Sequence, residues 1–289
     1  MKKTLLKFTT ISVLFLTFCI AFSSCKKEIY DPGRKIKKIY SDVQKTLDQE
    51  WTWEKNNLIK IDYFNPNNGQ IDYSEYFFYK NSKLVKIQDD EGHIQISYTN
   101  SRYDKIEQYS NDGSLLATWD FSYKSNKIER IVFTYEKDYM SKKMTENGFL
   151  SALIPKEFLP AVEKSGNAKN KKTVSYTYKY DGDNVKEIKV EYEDTKVSIT
   201  ITFKSYDTMQ NPLYRKIVLP RDTYGSDFLI TSKNNPLEVE IRMPTDVYEF
   251  IQQINYSYIY DGNFPIEMVM KVTMSGMINR SFRTYYEYE

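Results

Sequence analysis

Two cysteines and one histidine in 289 residues exclude more chemistry than any other feature of this sequence. A nucleophilic triad needs a histidine base beside its serine or cysteine, and structural zinc takes several His or Cys ligands. His93, Cys19 and Cys25 supply neither set. Glycine and proline are also scarce, at 10 and 9 residues, which sets aside collagen-like and low-complexity chains. Gly-rich phosphate loops are missing. Beyond residue 22 no apolar run approaches the roughly 20 residues of a membrane-spanning helix. Neither sign of charge dominates either, because 41 Lys and Arg are interspersed with 39 Asp and Glu. That balance offers nucleic acid no basic stripe.

What the chain does have begins at its first residues. Lys2, Lys3 and Lys7 form a positive head, Ile11 to Phe22 an apolar stretch too short to cross a bilayer, and Ser23-Ser24-Cys25 a small-residue cleavage site. The segment resembles a bacterial lipoprotein signal, with Phe22 in a position usually held by an aliphatic residue, as in the looser lipoboxes of Bacteroidetes-type bacteria. The resemblance implies a signal over 1–24, acylation of Cys25 as the new N-terminus, and a tether over 25–35. One acyl chain holds a protein only marginally, whereas the several chains of a lipoprotein suffice. The implied location is the cell envelope, anchored to the outer membrane, with the face left open by Lys26-Lys27-Glu28. Loss of the signal removes Cys19 and three lysines, so the remaining 265 residues have no disulfide and the formal charge moves from +2 to −1.

Aromatic residues carry the pattern of the rest, with 26 Tyr and 16 Phe suited to strands rather than disorder. One motif recurs: aromatic, any, aromatic, four residues, aliphatic, two residues, aliphatic. Trp51-x-Trp53 leads to Leu58 and Ile61, Phe77-x-Tyr79 to Leu84 and Ile87, and Phe121-x-Tyr123 to Ile128 and Ile131. Tyr178-x-Tyr180 leads to Val185 and Ile188, and Tyr258-x-Tyr260 to Pro265 and Met268. Residues two apart share a strand face, and gaps such as Asp181-Gly182-Asp183-Asn184 and Lys80-Asn81-Ser82-Lys83 are hairpin-turn chemistry. The expected fold class is all-β: a large antiparallel meander of hairpin repeats forming a twisted or half-barrel sheet, one face apolar and the other wet.

Between about Met140 and Lys172 the alternation stops. Leu150, Leu153, Ile154, Phe158, Leu159 and Val162 recur at helical spacing, broken by Pro155 and Pro160, which predicts a short helical insertion. The chain then divides into hairpin blocks at 36–140 and 173–289 around a helical or loop insertion at 141–172. Pattern alone leaves open whether the blocks run together as one domain over 36–289.

Tyr178-x-Tyr180-Asp181-Gly182 and Tyr258-x-Tyr260-Asp261-Gly262 resemble the YD repeats of RHS-type proteins, and the layout resembles uncharacterised Bacteroidetes lipoproteins built from such hairpins. The Gly-Arg-Leu triplet usual after Tyr-Asp in RHS repeats is replaced by Asp183-Asn184-Val185 and Asn263-Phe264-Pro265. No functional residue carries over from the resemblance.

Site chemistry is correspondingly sparse. His93 follows Asp89-Asp90-Glu91-Gly92 and reads as part of a solvated hairpin turn, and the three carboxylates lack the alternation of an EF-hand loop. Trp51, Trp53 and Trp119 offer rings for sugar stacking, although their alternation with polar neighbours favours core filling. No catalytic, metal or cofactor residue is expected, and Cys25 is the lipidation site. The function expected is a lipid-anchored, non-enzymatic binding or scaffold module, with the membrane and a protein or glycan as partners and no nucleic acid. Two alternatives stand beside it: a glycan-binding or carbohydrate-processing protein with a carboxylate pair, and an apolar-ligand carrier built as an open half-barrel.

Overall fold

The computed structural model describes residues 32–136, 171–193, 198–216, 232–244, 249–274 and 280–289. The first block supplies β1 (Ile36–Ser41), β2 (Thr46–Glu54), β3 (Asn57–Phe64), β4 (Ile71–Lys80) and β5 (Lys83–Gln88). It continues with β6 (Gly92–Thr99), β7 (Arg102–Ser110), β8 (Leu115–Lys124) and β9 (Lys127–Glu136). The second supplies β10 (Lys171–Asp181), β11 (Asn184–Tyr192), β12 (Ser198–Gln210) and β13 (Asn234–Pro244). It ends with β14 (Glu249–Asp261), β15 (Phe264–Met274) and β16 (Arg280–Tyr288).

Every strand pairs antiparallel with its neighbours in sequence, and β1 pairs with β16, so the sixteen strands form a closed barrel. The seam is Ile36 opposite Tyr288, Ile39 opposite Tyr286 and Ser41 opposite Thr284. This corrects the expected twisted or half-barrel sheet. Alternation shows which residues share a face, whereas closure depends on accumulated twist and stagger and joins residues at opposite ends of the chain. Among the described residues there is no helix, and Lys171 and Lys172, expected in the helical insertion, belong to β10. The remainder of that segment, 141–170, lies outside the described residues.

Six two-residue turns close one end of the barrel, here the hairpin end. Asn81 and Ser82 have φ of 51° and 61°, and Asn100 and Ser101 have 52° and 65°, the left-handed pairs that a tight hairpin needs. Gly182 and Gly262 meet the same demand, at 56° and 60°. In each of these hairpins the register slips one residue before the last inward aromatic: Trp53, Tyr79, Tyr98, Tyr123, Tyr180 and Tyr260. Such bulges sharpen strand twist and help a sheet curl.

The apolar faces all turn inward. Phe133, Ile188, Ile201, Val239, Ile254 and Val272 belong to one interior cluster, and Ile36, Leu58, Ile61, Ile87, Ile106 and Tyr286 to a second. Trp119 and Met268 pack against both. The outer wall is polar and charged. Lys105–Glu107, Lys60–Asp62, Lys179–Glu187 and Arg283–Glu267 pair along it, and Glu240 is held between Lys204 and Arg242 at 3.2 and 2.6 Å. Those two cations keep the Glu240 carboxyl below its ordinary range, with the Arg242 hydrogen bond the larger cause.

Candidate functional site: the barrel interior and its hairpin end

At the hairpin end, aromatic side chains tie each strand pair to the one before it. The Tyr79 hydroxyl donates to the Leu58 carbonyl at 3.0 Å, Tyr98 to Leu84 at 2.7 Å, and Tyr206 to Val185 at 2.6 Å. Tyr258 donates to Pro236 at 3.0 Å, Tyr288 to Pro265 at 2.7 Å, and the Trp53 indole N–H to Ile36 at 2.7 Å. Leu58, Leu84, Val185 and Pro265 are first aliphatic positions of the sequence repeat, so in four of its five copies that carbonyl receives the ring of the strand that follows in space. Burial pushes the Tyr79 hydroxyl pKa up to about 12.

A second link uses cations. Lys83 lies over the Tyr98 ring at 5.1 Å, Arg102 over Tyr123 at 5.3 Å, and Lys127 over Tyr180 at 5.3 Å. The residue that starts each returning strand thus covers the next inward ring and shields it from water.

Residues 211–216 enter the same mouth. Asn211 anchors them, its amide donating to the Ser232 carbonyl and its Oδ1 accepting from the Leu213 N–H, both at 2.9 Å. Leu213 joins the cluster built on β1–β7, and the buried Lys216 places its ammonium 4.4 Å from the Trp51 ring, five strands further round the wall. Behind this segment, Asp207 accepts from the Tyr260 hydroxyl and from the Asn235 backbone and amide. Burial and then that carboxylate raise the Tyr260 pKa.

Several polar side chains sit in the inward register. Tyr63 donates to the Glu75 carboxylate at 2.9 Å and stacks on Tyr73 at 4.3 Å, with Glu75 only 1% exposed. Trp51 donates to Gln49, and Gln252 is fully buried between Ile241 and Met274 with no hydrogen-bond partner among the described residues for either amide atom. Sequence reasoning passed over these groups. Their signal was there: Glu75 shares the alternation of Tyr73 and Phe77, and Gln252 that of Phe250 and Ile254, so each is a polar residue in an apolar register.

All three tryptophans face inward. Trp51 is 3% exposed, Trp53 and Trp119 are half-buried, and Trp119 stacks on Phe133 at 4.7 Å. Cys25 lies outside the described residues. His93 is not in a turn but in β6, opposite Gln88 and Tyr109, stacked on Tyr109 at 5.1 Å, with its pKa lowered mainly by desolvation. Asp89 caps its own turn by accepting from the Glu91 and Gly92 N–H groups at 2.7 and 2.9 Å. Among the described residues no three His, Cys, Asp or Glu side chains converge as metal ligands. The interior carboxylate Glu75 is held by Tyr63, and Asp207 is held by Tyr260 and Asn235, so both serve as hydrogen-bond acceptors.

These features define a closed antiparallel barrel with charged residues along its outer side. The chain is similar to a porin-like protein from Bacteroides vulgatus, at 12% identity and a TM-score of 0.54, over 89% of this chain and 99% of that one. It is also similar to a porin-like protein from Bacteroides uniformis, at 12% identity and a TM-score of 0.51, over 88% and 98%. At this identity the likeness is one of fold. No protein-family model matches the chain, and neither does any curated protein.

Proposed function

We propose that this protein is a lipid-anchored, non-enzymatic barrel of the cell envelope that stands in water beside its membrane and works as a binding module. The observation that carries the reading is the polarity of the wall. A barrel that crosses a bilayer shows it an apolar band about 25 Å tall, and a Lys or Arg on that band costs roughly 2–4 kcal/mol at mid-depth. Here Lys60, Lys105, Asp120, Lys189, Arg242 and Lys271 occupy outward positions in six different strands, and the buried apolar residues face in, while Tyr76, Phe78 and Ile259 are large apolar side chains exposed on the outer side. Closure also removes free sheet edges, so partners are not recruited by strand addition to this barrel. Contacts are left to its ends, its interior and its loops. Attachment to the membrane then falls to acylated Cys25.

The mature chain carrying Cys25→Ser is expected to purify as a folded monomer without detergent, and in its host to move from the membrane to the soluble fraction. A chain that needs detergent to stay folded refutes the hydrated wall. A Cys25→Ser chain that resists a high-salt wash of the membranes refutes the anchor.

A further inference from the structure

The hairpin end is unevenly charged. Three consecutive tips, Lys80-Asn81-Ser82-Lys83, Thr99-Asn100-Ser101-Arg102 and Lys124-Ser125-Asn126-Lys127, carry cations and no carboxylate. Their strands, β4 to β9, are neighbours in the wall, which sets the tips about 10 Å apart. Lys83, Arg102 and Lys127 spend part of their surface on the rings beneath them. Lys80 and Lys124 do not: both are exposed and form no ion pair among the described residues. The next tip after Lys124–Lys127 is acidic, with Lys127 and Lys233 near its Asp183 at 3.7 and 3.9 Å, and further round Arg34 holds Asp261 at 2.7 Å.

The chain also enters the barrel at this end. β1 starts here at Ile36, and the Arg34 guanidinium lies over the Tyr288 ring at 4.8 Å. From Cys25 to Ile36 is 11 residues, a reach of no more than about 40 Å when fully extended. An anchor at Cys25 therefore joins the barrel at the end that carries the basic tips, and every tether shorter than the wall, about 33 Å for a ten-residue strand, holds that end toward the bilayer.

We infer that the basic half of the hairpin end is a docking surface for anionic phospholipid headgroups, with Lys80 and Lys124 as its free contacts. The inference rests on the lipid-anchor reading for its orientation, but the surface itself acts without the anchor. Each lysine close to an anionic membrane strengthens binding about fivefold, and the effect fades beyond a Debye length of roughly 8 Å at physiological salt. Two free lysines and three partly engaged cations give weak, salt-sensitive adhesion, which supplements acyl chains by setting how the barrel stands.

The test uses the mature Cys25→Ser chain with vesicles of phosphatidylcholine alone or with one-third phosphatidylglycerol. Co-sedimentation is expected only with phosphatidylglycerol, is expected to fall as salt rises, and is expected to weaken about 25-fold or more in the Lys80→Glu, Lys124→Glu double variant. The charge-matched control, the double variant Lys189→Glu, Lys271→Glu on the outer wall, leaves binding unchanged. Lys80→Gln with Lys124→Gln checks that any loss follows charge rather than folding. Equal binding to both vesicle types overturns the inference, as does indifference to the double variant. Full competition by a soluble anionic polysaccharide at the same affinity also overturns it, in favour of a general polyanion surface. Failure of the anchor reading shows separately, as wild-type protein without acyl mass from its own host.

Discussion

Replacing Gln252 by methionine should make the barrel more stable. Gln252 is 0% exposed, and neither its Oε1 nor its Nε2 has a hydrogen-bond partner among the described residues. Its cross-strand neighbours are Ile241 and Met274, and Phe250 and Ile254 flank it on the same face. A buried amide without bonds costs about 1–3 kcal/mol of desolvation. Methionine has a similar volume, adapts its shape and asks for no hydrogen bond, while a volume-conserving swap costs under about 1.5 kcal/mol in misfit. The net expectation is a gain of about 1 kcal/mol, which raises Tm by roughly 2–4 °C in a chain of this size. Calorimetry of the mature Cys25→Ser chain with and without Gln252→Met measures it. A lower Tm refutes the reasoning and means that the amide is bonded to something enclosed by the barrel, which would move Gln252 from a packing residue to a ligand contact.

The ring of hydroxyl-to-carbonyl bonds at the hairpin end predicts that Tyr79→Phe and Tyr98→Phe each cost about 1 kcal/mol in urea melts; two neutral substitutions would reduce the ring to coincidence. Tyr180→Ala should cost about 2–4 kcal/mol because its half-buried ring packs on the interior cluster under Lys127, whereas Lys179→Ala, exposed and paired only with Glu187, should cost under about 0.5 kcal/mol; equal midpoints would reassign the tyrosine face. Alkaline pH should weaken the fold: burial raises the Tyr79 pKa to about 12 from 10, so its contribution is whole below pH 10 and is lost as pH rises from 10 toward 12. Tyrosinate absorbance that completes near pH 10 with the circular dichroism still native would contradict that burial.

The hairpins were legible because their determinants are local. Lys80-Asn81-Ser82-Lys83 and Asp181-Gly182-Asp183-Asn184 contain both the turn chemistry and the flanking alternation within about a dozen residues. The interior groups were half-legible. Glu75 and Gln252 occupy positions where the alternation calls for an apolar residue, but a polar side chain in an apolar register is also what a slipped register looks like, and only the observed pairing separates the two. Residues 211–216 were not legible at all. Leu213 and Lys216 follow Gln210 without a pattern of their own, and their partners, Trp51 and the β1–β7 cluster, lie more than 100 residues away.

Closure is the feature on which the functional reading turns, and it is written nowhere locally. An alternating strand has one apolar and one wet face whether its sheet is open or closed, and in an open sheet the wet face says only that something polar lies beside it. Once β1 meets β16, one face of the whole sheet lines the interior and the other forms the outer wall, and in this chain the interior face is the one that carries the buried apolar residues. Ser198, Thr200, Thr202 and Lys204 along β12 then become part of a continuous polar surface around a barrel whose shape is shared with porin-like proteins. The same shape with the opposite polarity would belong in lipid. On the proposed reading shape and solvent preference part company, and the outward positions of Lys189 and Arg242 are what support water, rather than hydrocarbon, beside this wall.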